Sequence, residues 1–167
     1  MFGTSTPFGK KEIKEFIRER FSPEAKILDV GAGSGTYKVL LGEEYVNMDA
    51  IEVWEPAIEN LVHFYRHVFA IDVRNFCWGE ADYDLVIFGD ILEHIGVEDA
   101  QKVISQAIAH SNHVLIGVPY NYKQGVLYGN EAEIHIQDDL NEQNFEERYP
   151  GFKRIIYKPG FYGYYYI

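Results

Sequence analysis

Cysteine is nearly absent from this chain, since Cys77 is the only one among 167 residues. A single thiol excludes an internal disulfide and a zinc site built from cysteines, and it suits a reducing compartment, so we expect a cytoplasmic protein. Long apolar runs are also missing, because none approaches the roughly 20 residues of a membrane-spanning helix. The first residues, MFGTSTPFGKKEI, lack the apolar centre of a secretion signal. We therefore expect no membrane partner.

Positive charge is scarce: 15 lysines and arginines stand against 26 aspartates and glutamates, for a formal net charge of -11. Such a surface repels phosphate backbones, which argues against nucleic acid as a partner. We interpret the small lysine cluster at Lys10, Lys11 and Lys14 as the solvated face of a helix. The length and the 47% hydrophobic content predict one globular domain over residues 1–167. The histidines form no HExxH motif, and the sequence predicts no metal site.

Apolar strand-like and amphipathic helix-like segments alternate along the chain. Helices are predicted over 9–21, from 36 to near 42, over 55–67, over 98–110 and over 138–149, the last capped by Asp138 or Asp139. Strands are predicted over 25–30, 45–54, 68–73, 82–90, 113–119, 152–158 and 161–167. This order predicts an α/β fold with a mostly parallel, doubly wound sheet. The short Pro159-Gly160 link makes the last two strands an antiparallel hairpin.

Three glycines follow the first predicted strand at alternate positions, in ILDVGAGSG at residues 27–35. In an open α/β sheet, ligands bind beyond the carboxyl ends of the strands. Glycine lets the backbone turn tightly there and lets a ligand approach without meeting a Cβ. A nucleotide-like ligand and a plain strand-to-helix turn both explain the glycines taken alone.

Acidic residues at the ends of the next strands favour the nucleotide-like ligand. Glu52 ends the second strand, where a carboxylate accepts hydrogen bonds from ribose hydroxyls. Asp72 ends the third and suits an exocyclic adenine amine, while the Val73 N–H suits a ring nitrogen. Asp90 ends the fourth strand. The glycines read GxGxG, with Thr36 following, which departs from the GxGxxG of dinucleotide-binding domains, and no GK[ST] of a P-loop follows them.

With these residues together, the sequence resembles the class I S-adenosylmethionine-dependent methyltransferases. The segments that carry the resemblance are ILDVGAGSG (27–35), AIEVWEPAI (50–58), FAIDV (69–73) and YDLVIFGDILEHI (83–95). The last is most similar to the small-molecule branch of that family. The resemblance implies a Rossmann-like, seven-stranded sheet whose last strand is inserted antiparallel. It also implies S-adenosyl-L-methionine as cofactor and direct, in-line methyl transfer to a small-molecule or sugar-like acceptor.

The resemblance assigns a position to each part of the cofactor. The methionine part would be flanked by Asp29, Gly31, Ala32, Gly33 and Gly35; the ribose would be held by Glu52 beside Val53; the adenine by Asp72 and Val73; the methyl side by Asp90 and Ile91. Asp49 also lies in the second predicted strand and competes with Glu52 for the ribose role. Two other functions remain open: a non-catalytic cofactor-binding module that regulates a partner, and an NAD-dependent oxidoreductase.

Two histidines are candidates for a catalytic base. His94 in LEHI follows the fourth strand on the ligand side, and His135 lies in the irregular, aromatic segment 120–137. The structural alternative for each is that its ring anchors a neighbouring loop. Tyr120, Tyr122 and Tyr128 in the same segment either stack on a flat acceptor or pack the loop down. We expect the acceptor to be partly exposed or to be covered by a second copy of the chain in a homodimer.

Overall fold

The computed structural model describes residues 6–79 and 82–167. Its helices are α1 (Lys10–Arg20), α2 (Thr36–Leu41), α3 (Glu55–Leu61), α4 (Val97–Ala109) and α5 (Glu142–Arg148). Its strands are β1 (Ile27–Val30), β2 (Met48–Glu52), β3 (His67–Ala70), β4 (Tyr83–Gly89), β5 (Ser111–Pro119), β6 (Lys153–Lys158) and β7 (Tyr162–Tyr166). Within these ranges no helix combines the length and the apolar character needed to cross a membrane.

The seven strands form one sheet in the order β3-β2-β1-β4-β5-β7-β6. The first five strands run parallel, and β7 lies antiparallel between β5 and β6. The predicted α/β architecture, with an antiparallel C-terminal hairpin in a mostly parallel sheet, is therefore confirmed. The chain order reverses direction between β1 and β4, and such a switch point opens a crevice at the carboxyl ends of the strands.

Side chains of the central strands alternate between two apolar cores, one on each face of the sheet. Leu28, Val86 and Phe88 belong to the core that α4 covers, together with Ala100. Ile27, Leu85 and Ile87 belong to the core on the other face, which α1, α2 and α3 cover. Strands buried on both faces produce the continuous apolar runs that made them recognisable in the sequence.

Several predicted element boundaries are wrong, and three of them are explained by local contacts. The third helix ends at Leu61 rather than near residue 67, because tight turns replace helix through the aromatic stretch to Tyr65, whose hydroxyl donates to Asp29. The third strand ends at Ala70, so Asp72 lies in the following turn. The last helix begins after Asn141, whose side chain accepts from the backbone N–H groups of residues 143 and 144.

Lys10 corrects the interpretation of the lysine cluster as a solvated face. Its side chain is buried at the start of α1, with Nζ 4.7 Å from the centre of the Tyr37 ring and 3.9 Å from the nearer Asp90 carboxylate oxygen. Lys11, the next residue, is exposed. Lys10 therefore places a positive charge beside the carboxyl ends of the central strands.

Candidate functional site

A cavity of about 600 Å³ opens at the carboxyl ends of β1, β2 and β4. All but one of the residues predicted for the site line it: Asp29, Gly31, Ala32, Gly33, Glu52, Val53, Asp72, Val73, Asp90, Ile91, His94 and His135. Gly35 does not line it. The topology thus gathers into one crevice positions that are widely spaced in the chain. The volume lies within the range of about 300–1,000 Å³ that is usual for ligand pockets.

The three glycines differ in what surrounds each of them. Gly31 has a φ of +66°, and a Cβ there would lie 2.7 Å from Ile91 Cδ1, so the loop packs closely against the chain beyond β4. Gly33 has a φ of +52°, and the nearest atom to a Cβ there is 3.9 Å away, so its surface faces open cavity. Gly35 precedes α2 and packs against Leu61 of α3, where a Cβ would meet Cδ2 at 3.3 Å. The first two glycines shape the cavity and the third joins two helices.

Glu52 is buried at the end of β2 and is held by backbone N–H groups. Its Oε2 accepts from Gly33 N at 2.8 Å, and its Oε1 accepts from Val53 N at 2.8 Å and Trp54 N at 2.9 Å. A carboxylate offers about four acceptor positions, so Oε2 keeps capacity for a ligand hydroxyl. These bonds also tie the glycine loop to β2.

Asp49 is placed differently and does not line the cavity. Its carboxylate accepts a two-pronged pair of hydrogen bonds from Arg66, at 2.9 and 2.6 Å, and a further one from the Tyr83 hydroxyl at 3.2 Å. His67 lies 3.1 Å away through Nδ1. The structure therefore favours Glu52 over Asp49 as the carboxylate available to a ligand, and Asp49 as a structural ion pair.

Asp29 lies within β1 and is almost completely buried. The Tyr65 hydroxyl donates to its Oδ2 at 2.6 Å. Burial raises the pKa of Asp29 to about 7, Glu52 adds to the rise, and Tyr65 and Lys10 oppose it. Near neutral pH this carboxyl group is therefore poised between its two charge states, so a cationic ligand group beside it would favour the ionised form.

Asp72 and Arg74 form an ion pair at the edge of the cavity. The Asp72 carboxylate accepts from the Arg74 backbone N–H at 2.8 Å and from its guanidinium, and this pairing lowers the pKa of Asp72. The backbone bond caps the short 3-10 turn Val73–Asn75. Because the Asp72 side chain is partly exposed, it keeps acceptor capacity toward the cavity.

Asp90 follows β4 in the left-handed region, with a φ of +58°. This conformation is uncommon outside glycine and asparagine and marks a locally constrained position. The Tyr162 hydroxyl donates to Asp90 Oδ1 at 2.6 Å, and Lys10 lies on the side of Oδ2. Residues from α1, β4 and β7 therefore meet at this end of the cavity.

Glu93, which the sequence reasoning passed over, is among the most buried carboxyl groups in the described residues, at 1% exposure. Its Oε2 has no hydrogen-bond partner among those residues, and the only other buried side-chain atoms in that state are Lys10 Nζ and the Tyr37 hydroxyl. Burial, with Asp90 and Glu133 nearby, raises the pKa of Glu93 well above its usual value, although Lys10 opposes the rise. The LEH pattern was the available signal, but its Glu had no predicted role.

The loop that contains His135 places its imidazole ring beside that of His94. The backbone N–H groups of Ile136 and Gln137 both donate to the Glu93 carbonyl, at 2.7 and 2.9 Å. The buried Gln137 amide donates to two further carbonyls, those of Leu92 and Ile95. As a result the two imidazole rings lie 4.7 Å apart in an edge-to-face arrangement.

Each of the two histidines bonds a backbone carbonyl through Nδ1: His94 to Ile134 at 3.3 Å, and His135 to Tyr122 at 2.7 Å. A carbonyl only accepts, so Nδ1 carries the proton and Nε2 keeps its lone pair. Burial, and then the neighbouring His135, lowers the pKa of His94 to about 4, and burial lowers the pKa of His135 as well. Both rings are therefore neutral and both offer a basic nitrogen.

The tyrosines of segment 120–137 differ in burial: one packs the segment down, and the stacking role of the other two stays a prediction. Tyr120 is buried and its hydroxyl lies 2.5 Å from that of Tyr165, so it packs the segment down. Tyr122 and Tyr128 are about half exposed and line the cavity. Two partly exposed aromatic side chains of this segment are therefore available to contact a ligand in the cavity.

Comparisons with known proteins identify the fold. No family model matches the sequence, and a search of curated proteins finds no match either. Among solved structures, the chain is similar to a magnesium protoporphyrin IX methyltransferase from Synechocystis PCC 6803 with bound SAM, at 13% identity, a TM-score of 0.64, and coverage of 98% of this chain and 85% of that one.

Two further structures give the same result. One is a 1,6-didemethyltoxoflavin-N1-methyltransferase from Burkholderia thailandensis, solved with its acceptor and S-adenosylhomocysteine, at 19% identity, a TM-score of 0.70 and coverage of 95% and 77%. The other is an S-adenosylmethionine-dependent methyltransferase from Clostridium acetobutylicum, at 11% identity, a TM-score of 0.70 and coverage of 96% and 91%. At these identities the likeness establishes the Rossmann-like fold of the chain.

Proposed function

We propose that this chain is an S-adenosyl-L-methionine-dependent methyltransferase acting on a small-molecule or sugar-like acceptor. One observation carries the proposal: a single cavity at the carboxyl ends of the strands collects the open Gly33 surface, the buried Glu52 carboxylate, the Asp72–Val73 turn and Asp90. Three structural neighbours that are named as methyltransferases share the fold around that cavity.

The donors and acceptors of the cavity fit the parts of the cofactor. Glu52 would accept from a ribose hydroxyl, since its position is fixed by backbone N–H groups from the glycine loop and from residues 53 and 54. Asp72 and the Val73 N–H would hold the adenine edge. Asp29 would lie beside the cationic methionine part. When bound, the cofactor supplies an electrophilic methyl group on a sulfonium, for direct transfer to an acceptor atom.

The chain's own contribution to the reaction is orientation and proton acceptance. Tyr122 and Tyr128 would hold the acceptor against the wall opposite the glycine loop. His94 or His135 would take a proton from the acceptor at Nε2, because Nδ1 of each is already engaged by a carbonyl. Where the bound cofactor and acceptor displace water from the cavity, a transition state in which the sulfonium charge disperses would be favoured.

Calorimetric titration with S-adenosyl-L-methionine, S-adenosylhomocysteine and NAD tests the proposal. We expect the two sulfur compounds to bind with micromolar dissociation constants and NAD not to bind. Tighter binding of NAD would favour an oxidoreductase and overturn the proposal. An acceptor screen by mass spectrometry, following the gain of a methyl group, then separates an enzyme from a cofactor-binding module without turnover.

A further inference from the structure

Three side chains at the acceptor end of the cavity converge as metal ligands do. One carboxylate oxygen of Glu93 and one ring nitrogen each of His94 and His135 all lie within 4.8 Å of one another. Glu93 and His94 belong to the short 3-10 turn Leu92–His94, while His135 arrives on the loop that Gln137 fastens to that turn. Zinc binds nitrogen and oxygen ligands at about 2.0–2.2 Å, so atoms bound to one ion lie at most about 4.4 Å apart, which is close to the separations of these three atoms.

The hydrogen bonds behind the histidines match those of metal-binding imidazoles. Such a ring usually donates its second N–H to a carbonyl or carboxylate, which fixes the tautomer and the ring plane. His94 and His135 both do so, through Nδ1 to the carbonyls of Ile134 and Tyr122. Each ring is thereby held with the lone pair on Nε2.

Glu93 provides a second, independent observation that favours a cation at this place. Its buried Oε2 has no hydrogen-bond partner among the described residues. An isolated buried carboxylate is costly unless it is paired or coordinates a metal. The unpartnered, buried oxygen of Glu93 therefore favours a bound cation.

We propose that Glu93, His94 and His135 form a binding site for one first-row divalent transition-metal ion. Two imidazoles with one carboxylate suit Zn²⁺, Mn²⁺ or Fe²⁺ better than Mg²⁺ or Ca²⁺, which prefer oxygen ligands. Three protein ligands leave positions open toward the cavity. This role for the site rests on the proposed function: an oxygen or nitrogen of the acceptor would occupy an open position, which selects acceptors that carry a metal-binding group. With the ion bound, Nε2 of each histidine is a metal ligand, and this role replaces that of a proton acceptor.

Zinc titration of tag-free, chelator-treated protein by calorimetry tests the site. We expect one Zn²⁺ per chain and much weaker binding of Mg²⁺. Glu93→Gln and His135→Gln should each weaken Zn²⁺ binding by at least about tenfold, the scale on which even supporting residues affect metal affinity. The matched control is His63→Gln, which removes an exposed histidine outside the cavity and should leave the affinity unchanged.

Titration of the same variants with S-adenosylhomocysteine shows that they are folded and separates the two proposals. Binding of S-adenosylhomocysteine without stoichiometric Zn²⁺ binding would overturn the metal site and leave the proposed function standing. Zinc binding without S-adenosylhomocysteine binding would do the reverse. Equal Zn²⁺ affinity in the wild type and in a His94→Gln, His135→Gln double variant would also overturn the site.

Discussion

The two ends of the cavity each hold a buried glutamate, and the two differ in how they are satisfied. Glu52 accepts three backbone N–H groups from its own neighbourhood, whereas Glu93 keeps an oxygen without a partner among the described residues. Since buried polar groups are normally hydrogen-bonded, the difference is informative. At the Glu52 end, backbone N–H groups already hold the carboxylate in place, so a ligand needs only to add one more hydrogen bond to it. The Glu93 end leaves one buried oxygen without a partner among the described residues, as the proposed cation site requires.

The largest effect is expected from a methyl group added at the Glu52 end. Gly33→Ala puts a Cβ into open cavity and should weaken S-adenosylhomocysteine binding by about a hundredfold, or about 3 kcal/mol. Gly79→Ala is the matched control, because its φ of +55° is close to the +52° of Gly33 and, chain neighbours aside, no atom of the described residues lies within 4 Å of its Cβ. Both variants carry the same backbone strain. Equal affinities in calorimetry would show that the glycine loop does not face the ligand.

Loss of the Glu52 charge should have the next largest effect. Glu52→Gln weakens the hydrogen bonds to the glycine loop and to the ligand, so we expect about 2 kcal/mol, or roughly thirtyfold, in the dissociation constant of S-adenosylhomocysteine. Asp49→Asn, in the same strand but outside the cavity, should destabilise the protein while leaving that constant near the wild-type value. The reverse ranking would assign the ribose to Asp49.

The same substitution at the two glutamates should change stability in opposite directions. Glu52→Gln removes an acceptor from backbone N–H groups and should lower the free energy of unfolding by about 1–2 kcal/mol. Glu93→Gln replaces a carboxyl group whose ionisation is disfavoured by burial with a neutral amide of similar shape, and it should raise the free energy of unfolding by about 1 kcal/mol. Urea denaturation with a chelator present measures both. A loss of stability at both positions would mean that Glu93 is satisfied as it stands.

The smallest expected effect is a pH dependence from Asp29, whose pKa is raised to about 7 by burial. A cationic ligand group favours the ionised carboxylate, so binding releases a proton and affinity rises with pH, levelling off above about 7. Between pH 6 and 8 the affinity for S-adenosylhomocysteine should rise by up to about tenfold. Asp29→Asn should flatten that profile. An unchanged slope in the variant would place the titrating group elsewhere.

The Glu52 end of the cavity was largely predictable because its parts follow strands directly. Gly31 and Gly33 follow the apolar run of β1, and Glu52 ends the apolar run of β2. Parallel strands bring such ends to one edge of the sheet. Gly35 was placed in the site by the same motif, yet it packs two helices together. The sequence could not separate these tasks, because all three glycines have positive φ for different reasons.

The Glu93 end was predictable only in part because it depends on contacts between distant segments. His94 and His135 were each proposed as a base, but no motif spacing joins them, and their meeting depends on Gln137 inside an irregular loop. Lys10 was misinterpreted for the same reason. Helical periodicity predicts which residues share one face of α1, but only the contact with Tyr37 shows that this lysine is buried.

The crystal structure of the chain with S-adenosylhomocysteine is the most direct test of the central claim. The account predicts one ligand in this cavity, with a ribose hydroxyl on Glu52, the adenine at the turn formed by Asp72 and Val73, and the methionine part beside Asp29 and Gly33. A ligand bound away from Glu52, or a cavity that stays empty at saturating concentration, would contradict it.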